Sequence, residues 1–199
     1  MSKHAHTHLR TDPVMAELIE KFGPIPIRAR HQPTFDSLTR AIIYQQLSGK
    51  AAETILGRFI GLFGEVRFPE PHQVLGFNVE QLRVAGLSRP KATYILGLAE
   101  HAMAGTLPTL EMCKTMTDAE IIEQVTNIKG IGRWTAEMLL ISNLGRKDVL
   151  PVHDLGVRRG FQMAYQKRKM PSPEHLHKHG LRWSPYRTMA ARYLWRAAD

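Results

Sequence analysis

Two short stretches of this sequence carry residue types that do chemistry. The first is Asn127-Ile128-Lys129-Gly130-Ile131-Gly132-Arg133-Trp134-Thr135-Ala136. A helical pattern runs into Gly-Ile-Gly and a second one begins at once. Two glycines in three residues allow torsions and close approaches that side chains would forbid. Their N–H groups, with the free amides at the start of the following helix, make an anion site. Ile128 and Ile131 can pin the turn to a core, while Lys129 and Arg133 place positive charge beside it. Such a device holds a phosphate without reading sequence. Gly-x-Gly alone describes only a tight turn between packed helices, with Gly130 as a helix stop.

The second stretch is Asp148-Val149-Leu150-Pro151-Val152-His153-Asp154-Leu155-Gly156-Val157-Arg158-Arg159. A Pro-containing extended approach delivers Asp154 to the start of a helix. There the dipole and the free amides favour a negative charge. Read in isolation, Asp154 is an N-cap. Aromatic side chains at Trp134 and Trp195 supply flat faces that suit either core packing or a pocket for a flat cation.

The elements that must position these groups are helices. Apolar residues recur at helical spacing almost throughout, as at Val14, Leu18 and Phe22, or Ala52, Ile55, Phe59 and Leu62. Thr117-Asp118-Ala119-Glu120 is a capping box ahead of Ile121, Ile122 and Val125. Trp134–Asn143, Asp154–Gln166, Pro173–Lys178 and Pro185–Ala197 each read as a helix. No segment alternates with period two and no repeat recurs. The expected fold is all-α, with about ten short helices in two lobes flanking a cleft. Residues 1–10 read as a flexible polar leader, and its His4, His6 and His8 as part of a mobile tail. Residues 11–199 read as the folded domain.

Composition narrows the class of partner. The 199 residues are 43% hydrophobic and 23% charged, an ordinary globular balance. Lys and Arg number 27 against 18 acidic residues, a net charge of +9. That surplus favours a polyanion, because each cation placed on a phosphate releases condensed counterions. The single cysteine, Cys113, excludes a disulfide framework and a four-cysteine iron–sulfur cluster. No long apolar run or signal peptide stands out, so a soluble, intracellular protein without a membrane is expected, in a bacterial nucleoid or a nucleus.

From about Leu9 to Trp195 the chain resembles the helix–hairpin–helix DNA glycosylase superfamily, in the compact form of its 3-methyladenine DNA glycosylase II branch. The hairpin stretch carries the resemblance. So do Ile42-Ile43-Tyr44-Gln45-Gln46-Leu47-Ser48-Gly49-Lys50-Ala51-Ala52, Arg182-Trp183-Ser184-Pro185-Tyr186-Arg187 and Leu194-Trp195. The resemblance implies double-stranded DNA with damaged bases as partner, and monomeric action. It implies base flipping, then cleavage of the N-glycosidic bond of alkylated purines such as 3-methyladenine and 7-methylguanine. Asp154 matches the catalytic aspartate, which would stabilise an oxocarbenium-like transition state and orient water.

The same resemblance assigns the other groups. Trp134 stands where bifunctional members carry a lysine nucleophile, so a monofunctional hydrolase without lyase chemistry is expected. Trp134, Trp195, Met138 and Tyr44 would line the flipped-base pocket. Leu47 matches the apolar wedge of the family, with core packing as the competing reading. Lys129, Gly130, Gly132, Arg133 and Thr135 would hold DNA. A monovalent cation, Na+ or K+, is implied on hairpin carbonyls such as those of Asn127 and Gly130, with no divalent metal or organic cofactor required. His153 departs from the family, whose members carry an acidic residue there. The rival readings are a glycosylase for another lesion (deaminated, etheno or oxidised purine) and a non-catalytic module that binds DNA damage.

Overall fold

Helix starts in this chain are set by side chains that take up the first free amides. Ser48, Asn78, Ser88, Thr109, Thr117, Asp154 and Ser172 each accept a backbone N–H from the turn that follows. The computed structural model describes residues 2–198. It contains thirteen α-helices and no strand among those residues. They are α1 (Ser2–Leu9), α2 (Pro13–Phe22), α3 (Thr34–Tyr44), α4 (Gly49–Gly61), α5 (Pro71–Leu75), α6 (Val79–Arg83) and α7 (Arg89–Met103). Then come α8 (Leu110–Thr115), α9 (Asp118–Thr126), α10 (Arg133–Met138), α11 (Leu155–Ala164), α12 (Pro173–Gly180) and α13 (Arg187–Ala198). The all-α class is as the sequence pattern predicts.

The chain divides into two units, one of residues up to Arg30 together with those from Leu140 on, the other of His31–Leu139. In the first unit α11 and α13 pack against each other, with α2 against α13. A β-carbon at Gly160 would lie 1.8 Å from the Leu194 carbonyl oxygen, so only glycine lets the two helices meet there. Leu18, Val157, Phe161, Met189, Tyr193 and Leu194 fill the core.

Asp12, the N-cap of α2, is buried in that core. It accepts hydrogen bonds from Tyr165 Oη at 2.6 Å, Trp183 Nε1 at 3.0 Å and Val14 N at 3.1 Å. Burial pushes its carboxyl pKa up, but these donors outweigh burial and hold it below the usual carboxylate value. A helix cap thereby ties α2 to Tyr165, just past α11, and to Trp183, just past α12.

The second unit is built on α3, α4 and α7, with α5 and α6 against α7, and α10 against α3 and α9. Phe35, Leu38, Ile42, Phe59, Ile95 and Leu98 are buried in it. Phe59 packs against both Phe63 and Phe68.

Two expectations need correction. The predicted flexible leader is helix α1, whose Ala5 and Leu9 are buried and whose His6 hydrogen-bonds Tyr193 Oη at 3.0 Å. Spacing of Ala5 and Leu9 by four makes a narrow apolar stripe, which a polar composition concealed. Helix α8, capped by Thr109, buries only Cys113. Finally, the helix predicted over Trp134–Asn143 is α-helical only to Met138 and then widens into a π turn, Leu139–Asn143. There the Ser142 carbonyl accepts the N–H of Arg30.

Candidate active site

The loop that leads to Asp154 is anchored before it arrives. Arg187, at the start of α13, grips Asp148 with Nε on Oδ1 at 2.7 Å and Nη2 on Oδ2 at 2.9 Å. Ser184 Oγ donates to the same carboxylate at 2.7 Å. Burial raises the Asp148 pKa, but the Arg187 and Ser184 bonds outweigh it and hold the group low. Thr188 Oγ1 accepts from the Val149 amide and donates to the Arg146 carbonyl. With residues 146–149 fastened to Ser184, Arg187 and Thr188, Pro151 and Val152 carry the chain on to Asp154.

Asp154 caps α11. Its Oδ1 accepts the Val157 N–H at 2.7 Å and the Trp195 Nε1–H at 2.8 Å. Two donors on one oxygen fix the plane and rotamer of the carboxylate. Gly156 leaves the room: a β-carbon there would stand 3.0 Å from Trp195 Cδ1 and 3.2 Å from Asp154 Oδ1. The cap of α11 and the indole of Trp195 thus meet on the same oxygen of Asp154. Trp195, expected only as a pocket wall, is also the partner of the aspartate. His153 and Leu155 on either side are exposed, Leu155 to 64%.

The second unit carries the hairpin. Helix α9 ends at Thr126 and Asn127 follows as its exposed C-cap. Gly130 has φ +91°, and a β-carbon there would sit 2.2 Å from Tyr94 Cγ, so the turn closes directly on that ring. Ile128 and Ile131 are buried, and the Ile131 N–H bonds the Ile128 carbonyl at 3.0 Å. Gly132 is the exposed N-cap of α10 and puts no capping side chain on the first amides of that helix. Lys129 and Arg133 are exposed beside it, and Arg133 Nε reaches the buried Glu137 Oε1 at 3.0 Å.

Gln45, quoted above only as part of the Ile42–Ala52 stretch and given no role there, organises this unit's site. Its Nε2 donates to the Gly130 carbonyl at 3.1 Å and to Thr135 Oγ1 at 3.0 Å. Lys91 Nζ in turn donates to the carbonyls of Ile43 and Gln45, at 2.8 and 2.7 Å, closing the end of α3. Burial lowers the pKa of that ammonium. Gln46 then turns with φ +57°, and Leu47 emerges 39% exposed. Core packing does not hold Leu47. Tyr44 is half-buried at the end of α3, and Trp134 and Met138 are half-buried on α10.

One hairpin expectation changes. Thr135 is 1% exposed with its hydroxyl accepting from Gln45 Nε2, because the third residue of α10 faces inward. Its side chain therefore cannot reach DNA. The Gly130 carbonyl, one of the two named for Na+ or K+, accepts from the Gln45 amide at 3.1 Å. Among the described residues no three His, Cys, Asp or Glu side chains gather as a metal site, and no helix is long and apolar enough to cross a membrane.

An aspartate locked at a helix start and a glycine hairpin opening a helix define a recognisable class. The family model of the HhH-GPD superfamily of base excision DNA repair proteins matches residues 39–185. This chain belongs to that family. It is 36% identical over 184 residues to DNA-3-methyladenine glycosylase 1 of Schizosaccharomyces pombe, covering 92% of this chain and 80% of that protein. The structure of the S. pombe 3-methyladenine DNA glycosylase Mag1 with abasic DNA superposes with a TM-score of 0.91 at 36% identity, covering 97% of this chain and 95% of that one. A DNA-3-methyladenine glycosidase from Bacillus halodurans gives a TM-score of 0.83 at 38% identity, over 97% and 88% of the two chains.

Proposed function

We propose that this protein is a monofunctional DNA glycosylase that removes alkylated purines from duplex DNA, with Asp154 as its catalytic carboxylate. The observation that carries the reading is the pair of N–H donors on Asp154 Oδ1, which hold the carboxylate in one orientation at a helix N-terminus. The family and the named relatives support the substrate class.

In this reading the hairpin amides, with Lys129 and Arg133, hold a backbone phosphate. Leu47 fills the gap left by the extruded nucleotide, its loop kept in place by Gln45 and Lys91. Trp134, Trp195, Met138 and Tyr44 receive the base. N3- or N7-alkylation leaves a positive charge on the purine, and each aromatic face attracts it by roughly 0.5–2 kcal/mol. The glycosidic bond breaks with its electron pair leaving on the base, which departs neutral. Asp154 stabilises the cationic sugar and orients the water that adds at C1′ and loses a proton. Trp134 offers no amine for a Schiff base, so the strand is left abasic and intact. The enzyme acts as a monomer where the genome lies.

The test is release of 3-methyladenine or 7-methylguanine from methylated duplex DNA in EDTA, with strand integrity read before and after alkali. Free base with strands cut only after alkali is expected. Tight, salt-sensitive DNA binding with no release from alkylated, deaminated, etheno or oxidised purines would replace this reading with a damage-binding module.

A further inference from the structure

The first unit contains a cavity of about 440 Å³ on the side of Trp195. Its wall is made by Arg28, Arg30, Arg192, Ile141, Ser142 and Trp195. Three arginines therefore line one space, and no carboxylate lines it among the described residues. None of the three arginines forms a salt bridge among the described residues. Like charges gathered without counter-charge are unfavourable unless an anion joins them.

Arg192 is held in place, and so is the backbone that carries the other two arginines. Arg192 Nη1 donates to the Pro26 carbonyl at 3.1 Å, and its Nε is buried without a partner. The segment with Arg28 and Arg30 is pinned by the Arg30 N–H on the Ser142 carbonyl at 3.1 Å. Ala29 between them seats against Gly145, where φ is +67° and a β-carbon would come within 2.8 Å of Ala29 Cβ. Arg28 and Arg30 themselves are exposed and make no side-chain hydrogen bond or ion pair among the described residues.

We propose that this cavity is a second DNA site, which takes a single backbone phosphate of the strand whose nucleotide meets Asp154. A guanidinium fork matches phosphate oxygens in pairs, whereas three positive charges repel a cationic alkylated base. The cavity is thus not an extension of the base pocket. Trp195 separates the two roles, with its indole N–H on Asp154 and its ring lining the phosphate site. A phosphate held here would index the lesion nucleotide against the aspartate. This inference rests on the glycosylase reading for its choice of strand, but its test reads binding rather than base release.

The experiment measures affinity for a duplex with one tetrahydrofuran abasic analogue, for wild type, Arg28→Gln, Arg30→Gln and the double variant. Exposed side chains without bonds can be exchanged without loss of fold, which circular dichroism verifies. One lost phosphate contact lowers the slope of log K against log salt by about 0.9, which makes the affinity deficit differ about 3.5-fold between roughly 50 and 200 mM salt. Because the arginines share one phosphate, the double variant should lose about one such contact, not two. Replacing single phosphates near the lesion by neutral methylphosphonate should weaken wild type at one position, and that position should have no further effect in the double variant.

Equal sensitivity at every position, or slopes unchanged from wild type, would overturn the site and leave a diffuse field. Competition by inorganic phosphate that depends on Arg28 and Arg30, with a flat methylphosphonate series, would make it a free-anion site and also overturn the proposal. Failure of wild type to release base, with this binding pattern intact, would remove the glycosylase reading and leave the phosphate site standing.

Discussion

Asp154 caps α11 and, in the proposed function, also stabilises charge in the reaction, and two substitutions pull the two roles apart. Asparagine keeps an oxygen where Oδ1 now accepts from Val157 N at 2.7 Å and Trp195 Nε1 at 2.8 Å. As an N-cap it is about as good as aspartate, so Asp154→Asn should cost only about 0.5 kcal/mol of stability or less. What it lacks is charge. At an effective dielectric of about 20, a carboxylate about 4 Å from the developing sugar cation contributes about 4 kcal/mol. Its removal should slow base release by about a thousandfold. Asp154→Ala removes charge and cap together. It deprives two N–H groups of their acceptor, for about 2–3 kcal/mol of stability in addition to the same catalytic loss. Single-turnover base release and urea unfolding, run side by side, measure the two effects. If Asp154→Asn releases base at the wild-type rate, the carboxylate has no part in the reaction. If it loses as much stability as Asp154→Ala, the capping geometry described here is wrong.

Three further outcomes follow from packing and charge. Gly160→Ala must push α11 away from the Leu194 carbonyl and should cost about 2–3 kcal/mol in urea unfolding. Gly57→Ala, in the open interior of α4 with nothing within 4 Å, should instead stabilise by roughly 0.5–1 kcal/mol. The Asp36 carboxyl is pushed up to about 6 by burial, with Glu70 adding to the rise and Arg40 and Arg67 opposing it. An acid whose folded pKa is raised favours folding while protonated and opposes it once ionised, so its penalty grows from about pH 4 to 6. Asp36→Asn should therefore be more stable than wild type at about pH 7, and the gap should close toward about pH 4. A constant gap across that range would show that Asp36 does not titrate as described.

What could be read in the residues, and what could not, follows the range of the interactions. Gly130 and Gly132 were legible because a turn between helices is a local event, settled by torsions within a few residues. Asp154 was legible as a cap for the same reason. The partners that make either feature into a site are distant in sequence. Gln45 meets Gly130 and Thr135 across 85 and 90 residues, and Trp195 meets Asp154 across 41. No periodicity announces such pairs. Thr135 shows the cost of reading locally: in the hairpin stretch it looks outward-facing and polar, yet a glutamine from another helix takes its hydroxyl into the core. Residues 2–9 show the opposite error, where a polar run hides the two apolar positions that dock it.

The same division explains where new chemistry could go unnoticed. Arg28 and Arg30 are surface arginines by any local reading, in a segment with no regular structure. Only the π turn, which frees the Ser142 carbonyl for the Arg30 amide, and Gly145, which admits Ala29, fix them beside Trp195. Neither feature does anything chemical itself. Each fixes the backbone from which a charge projects, and a side chain on fixed backbone has less conformational entropy to lose when it meets its ligand. The Asp148–Arg187 pair does for Asp154 what these two do for the arginines, because a carboxylate can favour a transition state only if it need not reorganise when charge develops.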